Sequence, residues 1–294
     1  MALDTRPQTA SDSVGVVVPE PGSDLFADPV LPRLLRGIGD ELSVRGLQMV
    51  LFAPQSDGDL QRLERYIAGG HVDAVILLML AESSLLPSRI RSLGKPVVVG
   101  GRPRRGMDVS YVDVDNHAGG RRATEHLIEQ GRRRIAHIAG PPSMTSASER
   151  LQGFREAMWN AALRSDLVEL GNLDRDSGEM AMARLLNREG DIDAIFAASD
   201  AMAAGAMWAM QILGRRVPDD VAIIGFDDSP LAAATQPPLS SVRRPIEHMG
   251  REIARLVVGL AQDGVEGEPR QLILDPALAV RESTRRAGQN GNGS

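Results

Sequence analysis

Seven stretches of the chain are apolar almost without a break: Val14–Val18, Leu47–Phe52, Ala74–Leu80, Pro96–Val99, Ile135–Ala139, Ala194–Ala197 and Val221–Gly225. They are rich in valine and isoleucine and do not alternate apolar with polar, as expected of strands buried on both faces. Between them, apolar positions recur at helical spacing. Asp28–Arg45 stops at Gly46, Asp115–Gln130 at Gly131 and Asp200–Leu213 at Gly214. An aspartate at a helix start can accept from the open first-turn amides, and a glycine past the end takes the left-handed cap. Alternating strands and helices predict an α/β fold with a doubly wound parallel sheet. The strands are too many for one such sheet, so two α/β lobes are expected, with functional loops at the carboxyl ends of their strands. No repeat of solenoid period is present. Pro237-Pro238 and Arg244-Pro245 bracket Leu239–Arg243, a natural place for the chain to cross between lobes.

With 294 residues the chain is long enough for two cores. It has 33 Lys+Arg against 39 Asp+Glu, a net charge of −6, which suits a stand-alone nucleic-acid binder poorly. Cysteine is absent, which removes disulfides, thiolate metal sites and cysteine nucleophiles. The only lysine, Lys95, precedes Pro96, so no Walker A loop exists. There is no G-x-S-x-G, H-E-x-x-H or G-x-G-x-x-G, and the five histidines lack metal-ligand spacing. His137 lies inside a predicted strand and reads as a core residue. No catalytic residue, metal or cofactor is therefore expected. The N-terminus lacks the apolar core of a signal peptide and no run is long enough to span a bilayer, so a cytoplasmic protein without membrane contact is expected. Residues 287–294 read as a disordered tail. The arginine clusters Arg102/Arg104/Arg105, Arg132–Arg134 and Arg215-Arg216 read as solvated edges, with Arg102 excepted because it follows a strand and can face a ligand.

The strand-end loops carry the candidate chemistry. Pro19–Phe26, with Asp24 and Phe26, follows the first strand; Gly140–Ser146 leads to Glu149-Arg150; Ser199 and Asp200, then Phe226, Asp227 and Asp228, follow two more. Carboxylates, hydroxyls, arginine and an aromatic ring suit a polyhydroxylated ligand: charged groups bond neighbouring hydroxyls in pairs, and a ring packs on a C–H face. For Asp200 helix capping is the preferred reading, and for Asp227 a ligand role. One of the paired aspartates can cap the helix that follows. Phe226 and Arg150 remain open between ligand and core or solvent. Trp159, Trp208 and most of the 12 methionines read as core or interface.

Read in order, several segments resemble the LacI/GalR family of bacterial transcription regulators. They include Val112-Asp113-Val114-Asp115-Asn116, Ala123–Ile128, Ile138-Ala139-Gly140-Pro141, Arg150-Leu151-Gln152-Gly153-Phe154-Arg155, Ser199-Asp200 with Met202-Ala203 and Gly205-Ala206-Met207, Val217–Val221, Gly225-Phe226-Asp227-Asp228 and Val280–Thr284. The set extends from Ser13 to Thr284. Pro19–Phe26 and Leu63–Tyr66 with Gly70–Asp73 are similar to actinobacterial regulators of cello-oligosaccharide use. The resemblance implies a core like a type I periplasmic binding protein, two lobes joined by three crossovers. The first lobe would be 13–114 plus 246–273, the second 115–245 plus 274–286, with 1–12 as a linker remnant. It places the family's ligand arginine on Arg150, its ligand aspartate on Asp227 and the preceding aromatic on Phe226, with polar contacts at Ser199, Asp200 and Ser146. Leu173 stands where many members stack an aromatic, which moves that role to Phe26 or Phe226. Arg244 replaces a common glutamine and adds a cation.

A homodimer that binds a mono- or oligosaccharide and represses sugar-use genes until the sugar arrives is implied. Operator DNA would be bound by a helix-turn-helix headpiece. No headpiece is recognised in this sequence; either an effector core trimmed from a longer regulator or a gene without the DNA-binding part is implied, and the first is the preferred expectation. The rival readings are an exported sugar-binding protein of a transport system and a regulator with a purine or phosphorylated corepressor.

Overall fold

The computed structural model describes residues 11–18, 30–78, 80, 84–103, 106–263 and 268–285. In chain order it begins with β1 (Ser13–Val17), α1 (Val30–Val44), β2 (Gln48–Phe52), α2 (Asp57–Ala68), β3 (Ala74–Leu78), α3 (Leu86–Arg91), β4 (Val97–Gly100) and β5 (Ser110–Val114). Next come α4 (Asn116–Glu129), β6 (Ile135–Ala139), α5 (Thr145–Asn160), β7 (Val168–Leu170), α6 (Arg175–Arg188), β8 (Ala194–Ala197), α7 (Asp200–Ile212), β9 (Ala222–Asp227), α8 (Pro230–Ala234) and β10 (Ser240–Arg243). The chain ends with α9 (Ile246–Asp263), β11 (Gln271–Leu274), β12 (Ala277–Ala279) and a 3-10 turn at Glu282–Thr284.

Two compact units result, Met1–Val114 with Pro245–Leu274, and Asp115–Arg244 with Asp275–Ser294. Pro245 and Leu274 belong to the first unit, each one residue beyond the crossings read from the sequence. The first sheet has the order β11-β5-β4-β3-β1-β2 and the second β12-β10-β9-β8-β6-β7. The same order therefore occurs twice. Every pairing is parallel except β10 with β12.

The near-continuous apolar runs follow from burial on both faces. In the first unit Val14, Val16, Ala74, Ile76 and Leu78 pack toward α1 and α9. The intervening Val17, Val75 and Leu77 pack with Leu63, Ile67, Leu86 and Ile90 of α2 and α3. In the second unit Ala136, Ile138, Ile195 and Ile223 face α6 and α7, while Ile135, Phe196, Ile224 and Phe226 face α4 and α5. The run Leu47–Phe52 is a correction: β2 is an edge strand, with Met49 37% and Leu51 38% exposed.

Capping follows the sequence at α4 and at the glycine-terminated ends, with exceptions at α7 and α8. Asp115 accepts from the Ala118 amide at the start of α4, and Gly46, Gly131 and Gly214 all take positive φ past the ends of α1, α4 and α7. At α7 the cap is Ser199, whose hydroxyl accepts from the Met202 amide; Asp200 does not cap its helix. Neither Asp227 nor Asp228 caps α8, whose N-cap is Ser229.

Arg132 was grouped with the solvated edges, but it is 1% exposed and donates from Nη2 to the Pro218 carbonyl at 2.5 Å. Arg134 and Arg216 do lie at the surface, paired with Glu189 and Asp220. The tryptophans are not core: Trp159 is 83% and Trp208 42% exposed. Among the described residues, no helix is long and apolar enough to cross a membrane.

Candidate functional site

In a doubly wound sheet, the crevice opens where neighbouring strands send their connections to opposite faces. In the second unit that point lies at the carboxyl ends of β6 and β8, since β6 pairs with β7 on one side and β8 on the other. Gly140 and Ala198 follow those ends directly. The polar groups of this unit converge there.

Arg150 projects from α5. Ala147, Arg150, Phe154, Ala157 and Met158 form the buried stripe of that helix, at spacings of three and four. Its side chain is thus carried inward by the helix face, and the residue is only 4% exposed. Nε donates to Asn116 Oδ1 at 3.1 Å and Nη1 to the Ala198 carbonyl at 2.5 Å. The guanidinium carbon lies 3.8 Å from the centroid of Phe226. Phe226, a candidate for stacking on a ligand, is instead fully buried and forms a cation–π floor beneath the guanidinium.

Asp227 ends β9 with φ +107°, followed by Asp228 at +48°. Such angles are uncommon for residues with side chains and cost of order 1–3 kcal/mol each unless their surroundings hold them. Asp227 Oδ1 accepts from Arg244 Nη1 at 3.0 Å, the two side chains being 11% and 13% exposed. Arg244 Nε is buried with no partner among the described residues. Asp228 is pulled away from Asp227 by Arg243 at 2.5 Å and Arg281 at 2.6 Å. Burial opposes its ionisation, but those two arginines win and hold its carboxyl below the usual range.

Asp200 is 2% exposed. Its Oδ2 accepts from the amide and hydroxyl of Ser229, at 2.7 and 2.8 Å, and its Oδ1 from Ser241 Oγ at 2.6 Å. Burial, reinforced by the charge of Asp227, nevertheless pushes its pKa up to about 7. Beneath the site His137 is stacked between Phe154 and Phe196, with Nδ1 2.8 Å from the Phe196 carbonyl. Complete burial brings its pKa down to about 3, so it is a neutral core residue.

The remaining candidates divide. Ser199 Oγ, besides capping α7, donates to the Leu173 carbonyl at 3.1 Å. Leu173 has φ +66°, and its side chain fills the space where a side chain on Gly140 would go. Ser146 is half-buried in the first turn of α5. Arg102 belongs to the first unit, where its backbone amide donates to Asp113 Oδ2 at 3.0 Å. Asp24, Phe26, Arg104 and Arg105 lie outside the described residues. The second unit thus brings together Arg150, Phe226, Asp227, Arg244, Ser199, Asp200 and Leu173. Sequence reasoning passed over Asn116, Ser229 and Ser241. Asn116 is fully buried at the start of α4, and the serines are named only by a hydrogen-bond network that the linear sequence does not display.

The groups on this face have the chemistry to bind hydroxyls. A guanidinium held over a ring and a carboxylate braced by a second guanidinium present paired donors and acceptors, stronger here than in water because they are buried. Among the described residues no group of three His, Cys, Asp or Glu side chains could hold a metal ion.

Residues 124–284 match the periplasmic binding protein-like domain family. The chain is 48% identical over 277 residues to the HTH-type transcriptional regulator CelR of Thermobifida fusca, an alignment covering 93% of this chain and 81% of that protein. Among solved structures it is similar to a transcriptional regulator CelR–cellobiose complex, with 47% identity and a TM-score of 0.88, covering 93% of this chain and 85% of that one. It is also similar to a regulatory protein of the LacI family from Chloroflexus aggregans, with 32% identity, a TM-score of 0.84, and coverage of 93% and 98%.

Proposed function

Because this chain belongs to the LacI family of transcriptional regulators, with their periplasmic-binding-protein-like effector core, we propose that it binds a glucose-based β-linked disaccharide, cellobiose or a close relative. The observation that carries this reading is the 47% identity over nine-tenths of the chain to a regulator solved with cellobiose. The second-unit face supplies the chemistry. Arg150 donates to adjacent sugar hydroxyls and Asp227 accepts from them. Arg244 braces Asp227 through their ion pair and its unpartnered Nε offers one further donor. The protein acts in the cytoplasm as a homodimer, and its operator is read by a helix-turn-helix headpiece. Sugar binding lowers operator affinity. A coupling of about 1–3 kcal/mol between effector and operator sites changes DNA affinity ~5–150-fold, enough for a genetic switch.

Calorimetry and thermal melting with cellobiose, glucose, ribose and a purine base test the effector. Cellobiose at ~100 times its Kd should stabilise the fold by about 2.7 kcal/mol. Arg150→Ala should weaken binding ~10–100-fold, the scale of about 1.5–3 kcal/mol for hydrogen bonds from a charged group. A melting point moved by purine and indifferent to all three sugars would overturn the reading, and unchanged cellobiose affinity in Arg150→Ala would remove the site.

A further inference from the structure

The β9–α8 turn holds two consecutive side-chain-bearing residues at positive φ, Asp227 and Asp228, with no glycine to ease either. A turn of that kind keeps its shape only if something beneath it holds it. We propose that Asp200 is the positioning residue of the effector site: from the start of α7 it clamps the Asp227–Ser229 turn through Ser229 and Ser241 and so aims the Asp227 carboxylate. The proposal deepens the sugar-binding reading and rests on it.

The clamp has three strands. Asp200 Oδ2 takes both the amide and the hydroxyl of Ser229, fixing the residue two after Asp227. Oδ1 takes Ser241 Oγ, and the same oxygen of Ser241 accepts from the Asp228 amide at 3.0 Å, fixing the residue between. On the near side, a β-carbon on Gly225 would lie 2.4 Å from Asp200 Oδ1, so the strand passes the carboxylate with no space for any side chain there. Gly225, Asp228 and Ser229 are thus in the clamp or pressed against it, while Asp227 between them pairs with Arg244 and Phe226 lies under Arg150.

The ionised carboxylate accepts from all three donors. A proton on Asp200 Oδ1 turns that oxygen into a donor and forces the Ser241 hydroxyl, which also accepts from the Asp228 amide, to reorient, while Oδ2 still accepts from Ser229. The charged groups around it come from every packed element: Asp227 on β9, Arg244 after β10 paired with Asp227, Arg243 and Arg281 paired with Asp228, and Arg150 of α5 bonded to the Ala198 carbonyl two residues before Asp200. Burial and Asp227 together put the titration of Asp200 near neutrality. Effector affinity is therefore pH-dependent, falling as the solution is acidified through about 7. A shift of about one pKa unit in Asp200 on binding corresponds to ~10-fold in affinity.

The test measures cellobiose affinity at pH 8 and pH 5.5 by calorimetry, and the Ser229 amide resonance across the same range by NMR. Wild type should bind ~10-fold more weakly at pH 5.5, and the Ser229 amide should titrate near 7. In Asp200→Asn, affinity should be low at both pH values and the amide titration should vanish. Ser241→Ala keeps the Ser229 bonds, so it remains folded and weakens binding severalfold without abolishing that titration. An Asp200→Asn protein with wild-type affinity and pH profile would overturn the clamp, as would a Ser229 amide that titrates unchanged in that variant. If wild type binds no cellobiose, the sugar reading fails by itself. The amide then still decides: titration in wild type alone supports the clamp, and no titration in wild type overturns it.

Discussion

Gly120→Ala should destabilise the second unit by about 1–2 kcal/mol and weaken effector binding with it. A β-carbon at Gly120 would lie 2.3 Å from the Arg150 carbonyl oxygen and 2.9 Å from its α-carbon. These are backbone atoms, so relief requires α4 and α5 to part by roughly an ångström. Overpacking of that kind costs about 1–3 kcal/mol, occasionally more. Alanine's better helix propensity returns about 1 kcal/mol at most. The same close approach recurs in each helix pair. A β-carbon on Gly153 would lie 2.1 Å from the His117 carbonyl oxygen, one on Gly37 of α1 2.1 Å from that of Glu247 of α9, and one on Gly205 of α7 2.0 Å from that of Arg175 of α6. Only the α4–α5 crossing carries Arg150, whose guanidinium must stay over Phe226. Gly37→Ala should therefore cost a similar stability in the first unit while leaving Arg150 in place. Gly39→Ala, also in α1 but with only the Met49 terminal methyl at 3.8 Å, should stabilise by about 0.5–1 kcal/mol. Denaturant melts and cellobiose titrations of the three variants check the pattern. Equal effects from Gly37→Ala and Gly39→Ala would contradict it.

What the sequence disclosed follows the strength of each local signal. Strands buried on both faces announce themselves, because both side-chain rows must be apolar; β1, β3, β6, β8 and β9 lie on the runs from which they were read. The edge strand β2 was misread as buried, since an apolar run looks the same whether its second face is covered or not. Strands β7 and β12, each three residues long, have no pattern to find. Arg150 was left undecided, although the buried stripe Ala147, Phe154, Ala157, Met158 shares its spacing and would have turned it inward. Asp200 was assigned to capping because an aspartate beside a helix start usually caps. The hydroxyl of Ser199, one residue earlier, reaches the Met202 amide and frees Asp200 for partners 29 and 41 residues away. That choice depends on how β9 and β10 pack against α7, and no local pattern encodes it.

Stability between pH 5 and 6.5 should be nearly flat in wild type, and it should acquire opposite slopes when either His137 or Asp200 is removed. His137 is neutral in the fold down to about pH 3, whereas in the unfolded chain it takes its proton near 6.5. Between those values the unfolded state binds the extra proton, so this histidine alone makes stability fall on acidification, by about 1.4 kcal/mol per pH unit. His126, lowered by burial, acts in the same direction. Asp200 does the reverse. It keeps its proton in the fold up to about 7 but loses it near 3.8 when unfolded, so between those values its contribution to stability falls as pH rises, again by about 1.4 kcal/mol per unit. The two windows overlap from about 4 to 6.5, where the His137 and Asp200 terms cancel and wild type keeps only the slope of His126. His137→Leu should then lose roughly 2 kcal/mol on going from pH 5 to 6.5, and Asp200→Asn should gain a similar amount. Both groups sit in the second unit, as do both tryptophans, Trp159 and Trp208, so tryptophan fluorescence in urea titrations follows the unit concerned. The slopes carry the test, because each substitution also shifts the absolute midpoint through lost packing or hydrogen bonds. Parallel pH profiles in wild type and both variants would mean that neither group titrates as its burial dictates.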